Sequence, residues 1–112
     1  VKHRNSIETW SNTTQQFTSN SLTYDFTSAS SQAFGNNMIQ IDASPVRFAI
    51  YSGDVNQDDV IDGSDTQLID NDATNFETGY LPTDINGDNF IDGTDAAIAD
   101  NNAANFVSIA RP

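Results

Sequence analysis

Two twelve-residue stretches of this chain, 54–65 and 84–95, hold nine aspartates at a regular spacing. In the first, Asp54, Asn56 and Asp58 occupy the first, third and fifth positions, Asp62 the ninth and Asp65 the twelfth; Asp84, Asn86, Asp88, Asp92 and Asp95 repeat them in the second. Alternate residues of a tightly coiled loop point towards its centre, so these side chains would converge and offer oxygen alone. A loop of this pattern adds a main-chain carbonyl at its seventh position, here Val60 and Phe90, and takes two oxygens from its twelfth. The chemistry expected is the chelation of a hard divalent cation. Six protein oxygens with one bidentate carboxylate suit calcium better than magnesium, which demands near-octahedral geometry and keeps its waters. The expectation is two calcium ions, one per loop.

The pattern is that of an EF-hand loop with two departures. The sixth position, usually Gly, is Asp59 or Asn89, and the twelfth, usually Glu, is Asp65 or Asp95. The sixth residue needs a left-handed backbone, which Asp and Asn reach most cheaply after Gly. Asp at the twelfth is one methylene short, so the loop must contract or the following helix lean in. Ile61 and Ile91 are expected to point away from the ion and to pair by their backbones, loop against loop.

The loops belong to a repeat with a period of 30 residues. Asp70, Asn71, Ala73, Asn75, Phe76 and Pro82 recur as Asp100, Asn101, Ala103, Asn105, Phe106 and Pro112. After each loop a Gly-free stretch, Ser64–Asp72 or Thr94–Asn102, predicts a short helix turning Leu68 and Ile69, or Ile98, inward. Asp65 and Asp95 fall in the first helical turns, where negative charge is favoured. Phe76 and Phe106 are expected to close the small core.

Residues 1–52 read differently, rich in Ser, Thr, Asn and Gln with short aromatic and β-branched runs. Strands are predicted at Val1–Arg4 running on towards Trp10, at Leu22–Thr27, Met38–Ile41 and Val46–Tyr51, with Pro45 placed to start the last. Four such strands make part of a β-sandwich whose remainder would lie upstream; the first residue is Val rather than Met. The fold class expected is α+β, with a partial β-sandwich module at 1–52 and a pair of loop–helix repeats at 53–112, divided as 53–82 and 83–112.

The formal charge of −12 lies in the second half, where thirteen acidic residues of 51–112 face Arg111 alone. Such a surface repels nucleic acid phosphates and anionic membranes. No stretch is apolar enough to insert into a bilayer. The absence of Cys excludes disulfides, thiolate metal sites and thiol nucleophiles. An enzyme is not expected: His3 is the chain's single His, and the aspartate spacing assigns those carboxylates to metal. Trp10, Tyr24 and Phe26 read as core or strand-face residues.

Each loop has a following helix but no preceding one. Strand-like Phe48–Gly53 leads into the first loop and Gly79–Thr83 into the second. With Asp54-Val55-Asn56-Gln57-Asp58, Asp84-Ile85-Asn86-Gly87-Asp88 and Ile-Asp-Gly-Ser/Thr-Asp closing each loop, residues 53–112 resemble a dockerin. The resemblance implies a non-catalytic, calcium-folded module of a secreted or cell-surface bacterial protein that docks onto a cohesin-like domain. By position it implies partner-reading residues at Gly63, Ser64, Asp70 and Asn71, and again at Gly93, Thr94, Asp100 and Asn101. Two alternatives stand beside docking: a calcium-stabilised cap on the adjacent β-module, with Phe76 or Phe106 against residues such as Tyr51, and self-assembly into a homo-oligomer through an exposed strand edge.

Overall fold

The chain is an α+β fold with two helices and a two-stranded antiparallel sheet, seen in a computed structural model that describes residues 1–112. It divides into two units: Val1 with Thr9–Ile50 and Ala110–Pro112, and Lys2–Glu8 with Tyr51–Ile109.

In the first unit, strand β1 (Ile39–Ala43) pairs with β2 (Val46–Ala49) across a turn at Ser44 and Pro45. The register runs from Ile39 opposite Ala49 to Ala43 opposite Val46, and a bulge between Gln40 and Asp42 leaves Ile41 unpaired. Pro45 thus occupies the turn and Val46 opens the strand.

The other two predicted strands do not form. Ser6 donates its amide to the carbonyl of His3 in a turn at Arg4 and Asn5, which ends any strand from Val1. Within Leu22–Thr27 the Asp25 carboxylate takes the amide and hydroxyl of Thr27, a local bond that competes with sheet pairing. Tyr24 turns its ring edge onto Phe26 at 4.8 Å, while Trp10 is 43% exposed rather than buried. Ala33 and Met38 are the buried apolar side chains of this unit, too few to build a sandwich.

In the second unit, α1 (Gly63–Thr74) and α2 (Gly93–Ala104) start one residue before the predicted spans and end two after them. α1 is poor in helix formers, whereas α2 carries five alanines; at twelve residues each, both still need capping and packing to hold them. Asp62 and Asp92 are the N-caps, and each makes a reciprocal capping box with Asp65 or Asp95 three residues on. The inward residues are Ile69 and its repeat mate Ala99, both fully buried, whereas Leu68 is 41% exposed. Val55, Ile69, Ile91 and Ala99 form one core cluster; Ile7, Ile61 and Val107 form another, with Tyr51, Ala103 and Ile109 against it.

The two halves of the repeat are exchanged rather than stacked loop on loop. Ile61 and Ile91 do not pair with each other, as the sequence suggested. Val60 bridges Ser108, with the Ile61 amide on the Val107 carbonyl at 2.9 Å and the Ile109 amide on the Asp59 carbonyl at 2.9 Å. Thirty residues away, Thr78 bridges Phe90, the Ile91 amide meets the Glu77 carbonyl at 3.3 Å and the Gly79 amide the Asn89 carbonyl at 2.9 Å. Each loop is therefore held between its own helix and the tail of the other repeat. Phe76 and Phe106, in left-handed backbone at the reversal after each helix, do not close the core but stand in solvent. No helix is long and apolar enough to cross a membrane.

Candidate metal centre

Each loop is shaped by its own carboxylates. In the first, Asp54 accepts the amides of Asp58 at 3.1 Å and Asp59 at 3.2 Å, Asn56 Oδ1 accepts that of Asp58 at 2.9 Å, and Asp58 Oδ1 that of Val60 at 3.1 Å. These bonds coil the chain and draw the oxygens to one centre. The turn needs left-handed backbone at the sixth position, and Asp59 supplies it at φ 76°, as Asn89 does at 69°.

Asp65 closes the loop from the first turn of α1. Its Oδ1 accepts the amides of Val55 at 2.8 Å and Asn56 at 3.2 Å, and its Oδ2 that of Asp62 at 3.0 Å. An ionised carboxylate has about four acceptor sites, so with three engaged a single lone pair, on Oδ2, remains for a further ligand. Asp65 thus offers one oxygen where two were expected, unless an amide lets go.

Oxygens of Asp54, Asp58 and Asp65 lie within 4.8 Å of one another, a group that could hold a metal ion. Asp54 and Asp65 are buried and Asp58 exposed, which gives a closed floor with one open side. Two like charges at this range repel by about 3 kcal/mol at an effective dielectric near 20, less where water screens Asp58. Stretch 54–65 contains no Lys or Arg to offset that repulsion. An all-oxygen, anionic pocket of this kind fits a hard cation such as calcium. Asn56, Val60 and Asp62 are the other members of the predicted set, by position. Asp62 is also committed to the N-cap, where Oδ1 takes the amide and hydroxyl of Ser64, both at 2.7 Å.

The second loop repeats these bonds with one change: Asp84 takes the amide of Gly87, at the fourth position, where Asp54 takes that of Asp58, at the fifth. Asp84 accepts from Gly87 at 2.8 Å and Asn89 at 3.1 Å, Asn86 Oδ1 from Asp88 at 2.9 Å, and Asp88 Oδ1 from Phe90 at 2.9 Å. Asp95 takes Ile85 at 2.8 Å, Asn86 at 3.1 Å and Asp92 at 3.0 Å, and Asp92 caps α2 through Thr94. Asp84 and Asp95 are buried like Asp54 and Asp65. The expected partner-reading residues Gly63, Ser64, Asp70 and Asn71, and Gly93, Thr94, Asp100 and Asn101, are all exposed on the two helices. Asp100 accepts from the hydroxyl of Thr66 at 2.9 Å, across the helix pair.

Sequence reasoning missed the segment Lys2–Glu8. The Asn5 carbonyl accepts the amide of Gly53, just before the first loop, and its side-chain amide donates at 3.0 Å to the carbonyl of Asp84, which opens the second. Arg4 donates to the carbonyls of Leu81 at 3.1 Å and Asp84 at 3.3 Å and stacks 3.6 Å above the Tyr80 ring. Ile7 is fully buried beside Ile61 and Val107. Only the apolar Ile7 in a polar run hinted at this.

Burial pushes the Asp54 carboxyl above its ordinary 3.8, helped by the Asp65 and Asp58 charges and opposed by the amide bonds from Asp59 and Asp58. The hydroxyls of Ser64 and Thr94, with the amides of the same residues, hold Asp62 and Asp92 below it. Without metal, native Asp54 binds its proton more tightly than the unfolded chain, so its contribution to stability is full below 3.8 and declines as pH rises through its raised value. Asp62 and Asp92 do the reverse, and their contribution is lost only as acid takes them through their lowered values. In chelator, Asp54→Asn should flatten the decline in urea midpoint that begins just above pH 3.8 and ends as pH passes the raised value of Asp54. An unchanged slope would contradict the assignment.

No protein-family model, curated protein or solved structure matches this chain.

Proposed function

We propose that residues 53–112 are a dockerin-like, non-catalytic module that binds two calcium ions, one per loop, and in that state docks its parent protein onto a cohesin-like partner. The observation that carries the reading is the convergence of Asp54, Asp58 and Asp65 within 4.8 Å in the first loop, with most of the same backbone bonds made by Asp84, Asp88 and Asp95 in the second. Asp54, Asn56, Asp58, the Val60 carbonyl, Asp62 and Asp65 would surround the first ion, and Asp84, Asn86, Asp88, the Phe90 carbonyl, Asp92 and Asp95 the second. The bound cation would offset the repulsion among carboxylates that have no basic neighbour. Extracellular modules with such loops bind calcium at about 10⁻⁴–10⁻³ M, which fits an exported parent protein. Docking would use the exposed positions Gly63, Ser64, Asp70, Asn71, Gly93, Thr94, Asp100 and Asn101, presented twice by the repeat.

A structural cap is the second reading, favoured by the way Lys2–Glu8 is built into the loop unit through Asn5 and Ile7. The expected packing of Phe76 or Phe106 on Tyr51 does not carry it: Tyr51 packs on the Ile7 cluster, while Phe76 and Phe106 are exposed. The immobilised chain, offered the secreted proteins of its source organism, separates the two. Docking predicts capture of a distinct protein in calcium and its release by chelator; recovery of the parent protein alone would favour the cap.

A further inference from the structure

Phe76 and Phe106 are held in a conformation that the fold itself does not reward. Each follows the C-cap of its helix, where the chain reverses through paired bonds: Phe76 to Ala73 at 3.1 Å with Glu77 to Asp72 at 3.0 Å, and Phe106 to Ala103 at 3.0 Å with Val107 to Asn102 at 3.2 Å. This reversal needs left-handed backbone and ordinarily uses Gly or Asn. Here bulky aromatics adopt it, at φ 55° and 54°, with 87% and 89% of their surface exposed. Strain and apolar exposure thus coincide at both repeats, with little burial in return.

We propose that these rings are the anchors of a protein-docking surface distinct from the helix positions named above. Phe76 and Phe90 line an open groove of about 340 Å³ with Thr78 and Ile91, rimmed by the carboxylates of Glu77 and Asp92. The equivalent patch sets Phe106 near exposed Val60, which bridges Ser108 two residues further along. Charge selects the occupant. Residues 51–110 hold thirteen acidic side chains and no Lys or Arg, so a second copy of this chain is repelled. The surface fits a partner segment that places an apolar side chain between basic ones.

The test titrates the isotope-labelled chain, in calcium, with two synthetic peptides that share a central Leu or Phe, one flanked by Lys and Arg and one by Glu. The Lys/Arg peptide should shift the amides of Phe76–Thr78 and Phe90, and of Val60 and Phe106–Ser108, and lose about tenfold or more in affinity when salt is raised to about 0.5 M. F76G/F106G should abolish the shifts and melt at or above the wild-type temperature, which separates loss of the surface from loss of the fold. Equal binding of the Glu peptide, absence of shifts up to millimolar peptide, or shifts that survive F76G/F106G would each overturn the proposal. Self-association abolished by F76G/F106G would also overturn it, because the occupant would then be a second copy. None of these readings depends on how many ions the chain binds.

Discussion

Replacing Asp65 with Ala is expected to destabilise the chain by about 3 kcal/mol even in chelator, and replacing Asp95 as well by about 6 kcal/mol. The carboxylate of Asp65 is the sole side-chain partner shown for three amides, those of Val55, Asn56 and Asp62. Truncation takes the charged acceptor from the buried Val55 amide, which keeps only the Gly53 carbonyl at 3.0 Å, at about 1–3 kcal/mol, and removes one arm of the capping box, at about 1 kcal/mol. The other two amides lie closer to solvent and lose less. Against a typical domain stability of about 5–15 kcal/mol, the double variant should be largely unfolded and should no longer be stabilised by calcium. Urea denaturation gives the number; a change below about 1 kcal/mol per site would contradict the role assigned to these carboxylates. Asp58→Asn with Asp88→Asn isolates the charge, because an amide oxygen can still accept the amides of Val60 and Phe90. That pair should keep the fold and lose calcium-dependent stabilisation.

Gly53→Ala is the second large effect expected, about 2–5 kcal/mol, from strain at a position with φ 123° together with overpacking. A Cβ there would lie 3.1 Å from the Ala99 Cα, 3.1 Å from Ile61 Cγ2 and 3.4 Å from the Ala99 Cβ. The first of these is helix backbone, which cannot yield without moving α2. The neighbour Asp54 is buried and organises the first loop, so calcium affinity should fall along with stability. Gly87→Ala is the control. Its backbone is also left-handed, at φ 80°, but a Cβ would meet nothing within 4 Å, and Gln57 already occupies the equivalent place at φ 61°. A cost of about 1 kcal/mol is expected there. Equal costs at the two glycines would show that close packing on Ala99 is not what position 53 requires.

The loops and helix starts were legible in the sequence because the same side chains that converge on the centre also bond the local backbone. Asp65 specifies both a helix N-terminus, through its capping box with Asp62, and one corner of the site, so one spacing encodes both. Left-handed Asp59 and Asn89 followed from their place as sixth residues of the loops together with the tolerance of Asp and Asn for that backbone. Long-range choices were not legible. The exchange of tails between repeats depends on where the chain goes after Phe76 and Phe106, and an aromatic at a helix C-terminus reads as core unless its backbone is known. The union of Lys2–Glu8 with the loop unit rests on Asn5 and Ile7, two residues without any periodic pattern around them. In the first half, β-branched and aromatic runs suggested four strands, but with Ala33 and Met38 the only buried apolar side chains of Thr9–Ile50, only the Ile39–Ala49 hairpin forms.

The most direct test is the melting temperature of the intact chain across a calcium titration, with magnesium and chelator alongside. Calcium at about 100 times its dissociation constant should add about 2.7 kcal/mol per ion, a rise of roughly 10 °C or more for each, with magnesium far less effective. A melting temperature that stays the same in calcium, magnesium and chelator would mean that the two aspartate loops are not calcium sites.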